Sequence, residues 1–321
     1  NNNSLLTKLK ILKAGIDLRL SGKEEFREFF RMILMCVADV LEESLENDSL
    51  KGLLSFDATL GIKLGPRSPT SLMGLLYRLS GEINGESAGQ IVPMGGPGLL
   101  MNAFYSSAEK SGVETHFNDT VSKILIKDGS VCGVKSSKGN EYFATHVVSS
   151  LSPIKTFLDL VGPTQLDTGF VREINSLRYK GNTSKLNLAL STKPKFNSIN
   201  DSLLSSRMVY ASSINHVEKR FNPSKYNELP LDPNFELVIP TYSDESLAPA
   251  GAAIASIIIQ NTPYDLKGGW DKQKNKLKVN VISKLEEISP GFTKSIIASE
   301  LLTPKDIEIR YGVPGGHWHH S

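Results

Sequence analysis

The sequence predicts a mixed α/β chain whose helical and strand segments are segregated rather than strictly alternating, an α+β texture. Three observations predict it. Apolar side chains between residues 24 and 79 recur at helical spacing, and residues 121–143 read as strands joined by tight turns. In the second half, isolated strands such as Leu186-Asn187-Leu188-Ala189-Leu190 stand beside one long amphipathic run from Trp270 to Ile288.

Phe26, Phe29, Phe30, Ile33, Leu34, Val37, Val40, Leu41 and Leu45 form one stripe, with Glu24, Arg27, Glu28, Arg31, Asp39, Glu42 and Glu43 opposite. One long amphipathic helix over 24–46 is expected. Asp48 and Ser49 suit the cap of a second helix, and 50–60 continue helically to Gly61. Gly65-Pro66-Arg67-Ser68-Pro69 is a loop, Thr70 to Leu79 a short helix, and the polar run from Ser80 to Gln90 another loop.

Pro93-Met94-Gly95-Gly96-Pro97-Gly98 opens onto Leu99, Leu100, Ala103, Phe104, Ser107 and Ala108, a helical pattern. Pro97 suits the first helical turn, where its missing N–H has no partner anyway. Gly112 suits the residue after the helix, where a left-handed backbone is cheap. Such an entry either presents backbone N–H groups to a ligand at the positive end of the helix dipole or is a close-packed turn that binds nothing. The loop alone does not choose between them.

Val113, Thr115 and Phe117 alternate, as do Ile124 with Ile126 and Val131 with Gly133 and Val134; Tyr142 and the run His146-Val147-Val148-Ser149-Ser150 follow. Asp128-Gly129 and Lys138-Gly139-Asn140 supply the turns. The expectation is a three-strand antiparallel meander ending in a short buried strand. Helices are then expected over Pro153–Val161 and Phe170–Leu177, and a strand through Leu186, Leu188 and Leu190. Residues 191–233, polar and rich in Ser, Asn and Pro, read as long surface connections. Strands at 235–240 and 253–259 flank the turn Ala248-Pro249-Ala250-Gly251. The helix Trp270–Ile288 is stopped by Pro290-Gly291, and Ile296–Leu302 is a last strand.

Composition narrows the function. The 321 residues are 40% hydrophobic and 22% charged, an ordinary balance for a globular chain with a sizeable core. A net charge of +2, from 36 basic and 34 acidic residues, predicts no nucleic-acid or membrane-surface role. No apolar run approaches the ~20 residues of a membrane span. Cys36 and Cys132 lie far apart within apolar patterns, which predicts free thiols in a reducing compartment. The chain starts Asn1-Asn2-Asn3 and stops at Gly315-Gly316-His317-Trp318-His319-His320-Ser321. Neither end resembles a domain terminus, so an internal piece of a larger protein is expected.

Few residues point to chemistry by themselves. The fingerprint G-x-G-x-x-G is missing, since Gly95, Gly96 and Gly98 lack its spacing. The P-loop, G-x-S-x-G and H-E-x-x-H are missing too, which removes support for phosphotransfer, serine hydrolysis and zinc proteolysis. His317, His319 and His320 read as a pocket or surface cluster rather than a metal site, with no Asp, Glu or Cys close by in sequence. Gly315-Gly316 before them implies a close backbone approach, to another strand or to a bound ring. Arg67 either is a solvated loop residue or pairs with an anion. Tyr264 either reaches a ligand or edges the core. No general base can be named.

The order of elements carries more. Gly95-Gly96-x-Gly opens a helix; Val121 and Ile124 follow, then Asp128-Gly129, Val131-x-Gly133-Val134, Gly139 and Ala144-x-x-Val147-Val148-Ser149-Ser150. Phe56-Asp57-Ala58-Thr59-Leu60-Gly61, Leu64-Gly65-Pro66-Arg67-Ser68-Pro69, Leu75-Leu76-Tyr77-Arg78-Leu79 and Leu247-Ala248-Pro249-x-Gly251 recur at matching places. So do Tyr264-x-Leu266-x-Gly268-Gly269, Pro290-Gly291-Phe292, Leu302-Thr303-Pro304 and Val313-Pro314-Gly315-Gly316. Across nearly its whole length the chain resembles the phytoene dehydrogenase-related branch of flavin-dependent oxidoreductases of the amine oxidase and phytoene desaturase type.

That resemblance implies a two-domain FAD-dependent oxidoreductase fold of the glutathione-reductase-like type, here without its N-terminal Rossmann β-α-β unit and C-terminal flavin-closing segment. It implies substrate-domain helices over 1–90, a flavin-domain helix and meander over 91–152, and a mixed substrate domain over 153–321. It implies FAD as cofactor, with Val121 making a backbone contact to adenine, Ser149 and Ser150 near the ribose, and Gly95 and Gly96 near the flavin. Gly315, Gly316 and His317 would lie on the substrate side. His317 follows Gly316 directly, where the family often places an aliphatic and an aromatic residue first. The activity implied is hydride removal from a small apolar, isoprenoid-like substrate, in the cytoplasm of a bacterium or a mitochondrial matrix. NAD(P) as electron acceptor has no residue here to support it. Without the pyrophosphate loop, weak or no FAD binding by this piece is expected. The rival on the same architecture is a GDP-dissociation inhibitor-like carrier of prenylated GTPases, and a third reading is a regulatory relative without activity.

Overall fold

A computed structural model describes residues 9–10, 12–13, 15–17, 19–20, 22–83, 85–87, 92–197 and 199–317. The chain divides into two compact units. One comprises residues 1–60, 64–90 and 210–221, and the other residues 61–63, 91–209 and 222–321.

The first unit is helical. Its expected long helix is two: α1, Lys23–Leu34, and α2, Val37–Ser44. The loop of residues 66–71 causes the break. It supplies Thr70 N–H to the Leu34 carbonyl at 3.3 Å and Ser71 Oγ to Val37 N–H at 2.9 Å, and its Pro66 carbonyl accepts Ala38 N–H at 3.0 Å. Side-chain and loop partners thereby take over from the i→i−4 ladder, so the apolar stripe continues while the helix does not. Helix α3, Asp48–Thr59, is capped by the Asn47 side chain on Leu50 N–H, and α4 spans Leu72–Leu79. The loop after α4 holds a two-residue antiparallel hairpin, β1, Glu82–Ile83, and β2, Glu86–Ser87. Val37, Ala38, Leu41, Ala58, Leu72, Leu75 and Ile214 form the core.

The second unit carries the two larger sheets, and its first helix is α5, Pro97–Lys110. The expected meander is present: β3, Val121–Lys127, β4, Ser130–Ser136, and β5, Glu141–Phe143, pair antiparallel in that order. Two expectations around it are corrected. Residues 113–117 form no strand, and 146–150 run as non-strand backbone, exposed except for the half-buried Val147, with Val148 96% exposed. Alternation makes a strand only where a neighbouring strand takes up the backbone groups; neither stretch has one among the described residues. Residues 153–161 are helical as expected, but Ile154–Val161 form a π-helix, a form frequent at functional sites. Helix α6, Thr168–Asn175, follows, capped by the Asp167 carboxylate.

A larger sheet follows, from β6, Thr183–Leu190, β7, Met208–Tyr210, β8, Phe235–Val238, β9, Ala253–Gln260, and β10, Ile296–Leu302. Their order is β10-β6-β9-β8-β7, antiparallel through the first four. Register places Leu186, Ile257 and Leu237 in one cross-strand row, and Ile259 beside Phe235 in another, all of them fully or nearly fully buried. Each such side chain contributes roughly 1.5–3 kcal/mol of burial free energy. Helix α8, Trp270–Ile288, buries Leu277, Val281 and Leu285 at four-residue spacing. A short α9, Phe292–Ser295, leads into β10, and α10, Pro304–Tyr311, leaves it.

Residues 191–233 are corrected as well. They hold β7 and α7, Ile214–Phe221, and they bury Phe196, Leu204, Ile214, Val217 and Phe221. The three apolar residues of α7 share a face at i, i+3 and i+7, diluted in sequence by the surrounding Ser and Asn.

Candidate functional site

The Gly-rich segment and what holds it come first. Gly95 and Gly96 both take positive φ, +75° and +81°, so the chain reverses there on residues that carry no Cβ penalty. Gly96 N–H closes the turn on the Pro93 carbonyl at 3.0 Å. Gly95 N–H goes to the Asp244 carboxylate at 2.5 Å, a link across 149 residues of sequence. The other Asp244 oxygen accepts Ser246 N–H at 3.0 Å and Ser246 O–H at 2.6 Å. Asp244 is only 7% exposed, and the Ser246 hydroxyl and Gly95 amide hold its carboxyl below the ordinary aspartate range. The turn is therefore latched, and two of the amides that its glycines offer are already engaged.

Pro97 stands at the first turn of α5, as its missing N–H predicts, and Gly112 follows the helix at φ +81°. The space where a Gly98 side chain would start is empty to 4 Å. The helix exposes Leu99, Leu100, Met101 and Phe104 and buries none of its residues.

Downstream lie the residues implied at the nucleotide. Val121 begins β3 opposite Ser136 and is half-buried. Ser149 Oγ lies 2.8 Å from Thr156 Oγ1 on the π-helix and accepts Leu151 N–H at 3.2 Å, while Ser150 is exposed. The 144–150 backbone is thus tied to β4 at one end, where Ala144 N–H donates to the Cys132 carbonyl at 3.0 Å, and to the π-helix at the other, with Val147 half-buried and the rest exposed.

Gly315 and Gly316 are the glycines expected on the substrate side. The close approach they imply is made to the chain's own backbone. Gly181 N–H donates to the Gly315 carbonyl at 2.9 Å, and a Cβ on Gly315 would lie 2.3 Å from the Tyr179 carbonyl oxygen. Gly315 N–H donates to Glu308 Oε1 at 2.7 Å, and the second Glu308 oxygen accepts the Tyr264 hydroxyl. That carboxylate, foremost, pushes the Tyr264 hydroxyl up to about 12. Lys305 sits 5.6 Å over the Tyr264 ring, and Trp270 Nε1 donates to the Pro263 carbonyl at 3.2 Å. Tyr264 therefore edges the core through Glu308. His317 is buried; Trp318, His319 and His320 lie outside the described residues. In the first unit, Arg67 pairs with Glu42 at 2.8 Å, so the anion it meets is its own chain's.

Three groups escaped the sequence reading. Asp244 had a faint signal, the turn pattern Asp244-Glu245-Ser246, but its partner is remote. Glu308 lies on α10, whose capping box of Thr303 and Asp306 with Pro304 at the first turn was readable. Lys185 reaches Ser256 Oγ at 2.5 Å across β6 and β9, on the sheet face away from Leu186 and Leu188, and burial pushes its amine's pKa down. Beside it Glu236 pairs with Arg207 at 2.8 Å. Both cysteines are free, Cys36 buried and Cys132 half-buried.

Comparison with known proteins gives the site a context. No family model matches the chain. It is 30% identical over 335 residues to pyridine nucleotide-disulfide oxidoreductase domain-containing protein 2 of Rattus norvegicus, covering 100% of this chain and 58% of that protein. It is 28% identical over 319 residues to the chloroplastic prolycopene isomerase of Daucus carota, covering 92% of this chain and 48% of the relative. The chain thus spans about half the length of these curated relatives. Among solved structures, an oxidoreductase from Methanosarcina mazei superposes at TM-score 0.56 with 16% identity, over 84% of this chain and 56% of the other.

Proposed function

From a chain that belongs to the amine oxidase and phytoene desaturase superfamily, we propose part of an FAD-dependent oxidoreductase that accepts hydride from an apolar, isoprenoid-like substrate. The observation that supports this reading best is the latched Gly95-Gly96 turn, in series with an exposed helix, the meander and the open 144–150 backbone. A turn without side chains, fixed from behind by Asp244, leaves room for a flat ring system at the backbone. Open backbone and the free Ser150 hydroxyl suit the ribose and its neighbours, and Val121 at the start of β3 offers a main-chain group to adenine. Gly315, Gly316 and His317 are assigned to the substrate side.

FAD held there would supply the hydride acceptor. The chain's own contribution is position and exclusion of water. Asp244 fixes the Gly95 amide, so the turn does not rearrange when a ring is seated. Glu308 fixes Gly315 and Tyr264 in the same way. Dehydrogenation of such a substrate would pass a hydride to the flavin and release a proton from the adjacent carbon; this chain's assigned part is a dry, shaped wall, and none of its described residues is assigned the proton.

The test is purification of the full-length natural polypeptide with excess FAD, followed by its absorbance near 450 nm and its flavin-to-protein ratio. A ratio approaching one is expected, and Gly96→Val is expected to lower it. At φ +81° a side chain is strained, and its Cβ would already touch Leu247 at 3.5 Å. Wild-type protein that remains colourless at saturating FAD sinks the reading.

A further inference from the structure

Where β6 begins and β9 ends, the large sheet carries buried polar side chains. Thr183 of β6 faces Gln260 of β9 in register, and Asn182 meets Asn261 one step beyond that pair. Thr262 N–H donates to the Asn182 carbonyl at 3.0 Å. Asn182, Asn261 and Thr262 are 3%, 3% and 0% exposed. Ser184 Oγ donates to Thr262 Oγ1 at 2.9 Å, so those two hydroxyls serve each other. The two carboxamides do so only in part. Asn182 Nδ2 donates to Asn261 Oδ1 at 3.4 Å, and among the described residues neither Asn182 Oδ1 nor Asn261 Nδ2 has a partner. Turning both amides end over end changes nothing in kind, because one oxygen and one NH2 are again left over. Each buried polar group left unmet costs roughly tenfold or more in the folding equilibrium, so this pair requires a ligand.

We propose that the two carboxamides hold one buried water molecule, which donates to the free carboxamide oxygen and accepts from the free NH2. The chemistry of the pair selects this ligand. A metal cation would face the NH2 hydrogens and an anion would face the bare oxygen, whereas water gives and takes a hydrogen bond at one point. Position gives the water a task. Asn182 follows Gly181, whose N–H holds the Gly315 carbonyl at 2.9 Å and whose carbonyl accepts Tyr264 N–H at 3.0 Å. The water therefore joins the two strand ends on which the Gly315-Gly316 turn is seated. The proposal does not depend on the flavin reading.

A crystal structure of the full chain, at a resolution that shows ordered solvent, is expected to place one density peak within about 3.2 Å of both carboxamides. Oxygen-17 relaxation dispersion counts waters held far longer than surface water, and it reads the same site in solution. Asn182→Leu replaces the carboxamide with an apolar group of similar shape and is expected to lower that count by one. Amide exchange at Gly181 and Thr262 should accelerate in this variant by roughly tenfold, the order of one lost hydrogen bond. If Asn182→Leu does not fold, the wild-type crystal decides the matter alone. The proposal is overturned by a crystal with no peak at the two carboxamides, by a metal ion or an anion there, by a water count that Asn182→Leu leaves unchanged, or by unchanged exchange at both amides.

Discussion

Replacing Gly316 with alanine is expected to bring the unfolding midpoint in denaturant down sharply, at a cost of about 3 kcal/mol or more. Two effects add. At φ +57° the residue sits in the left-handed region, where an L side chain costs about 1 kcal/mol. Its Cβ would also stand 1.8 Å from the Pro304 carbonyl oxygen and 2.5 Å from the Pro304 carbonyl carbon. That carbonyl belongs to the first turn of α10, which the Thr303 and Asp306 capping box holds from both sides, so the backbone cannot simply step aside. Gly251→Ala is the control, because Gly251 has φ +81° with nothing within 4 Å of the added carbon. It should lose about 1 kcal/mol only. Equal midpoint shifts at the two positions would show that close packing is not what requires glycine at 316.

The contrast between these two glycines also explains what could be read from the sequence. Local, repetitive signals survived folding. The four-residue recurrence of Leu277, Val281 and Leu285 gave α8 with its bounds, and the alternation at Leu186, Leu188 and Leu190 gave β6. Asp128-Gly129 marked the first meander turn, because both residues do take positive φ there. Signals that depend on a distant partner were lost. Nothing within 24–46 shows that Thr70 and Ser71 will interrupt the helix at Met35. Nothing within 146–150 shows that no strand among the described residues will lie beside it. Gly95 and Gly96 were visible as a turn, while the acid that fixes the turn stands 149 residues away. A glycine reports on its own backbone; it does not report on what has come close to it.

Asp244 is where that limit bears on function, and the expected result of Asp244→Ala is a loosened Gly-rich turn in a chain that still folds. The substitution deprives three donors of their acceptor: the Gly95 amide, the Ser246 amide and the Ser246 hydroxyl. Hydrogen exchange at the Gly95 amide should accelerate by roughly tenfold or more, the order expected when a protein acceptor is lost. Asp244→Asn should fall between, since one carboxamide oxygen still accepts while its NH2 faces a donor. The pH response separates latch from bystander. The folded carboxyl lies below its ordinary value, so its stabilising contribution is complete above about pH 4 and is lost as pH falls through the folded value. Protection of Gly95 in the wild type should therefore decline below about pH 4, and that acid limb should vanish in Asp244→Asn. If the turn faces a flavin, occupancy in the full-length protein should drop along the same series, wild type above Asn above Ala. If occupancy holds while Gly95 exchanges freely, the latch is real but serves only the fold. A Gly95 amide that stays protected in Asp244→Ala would assign the rigidity of the turn to Pro93 and Pro97 instead.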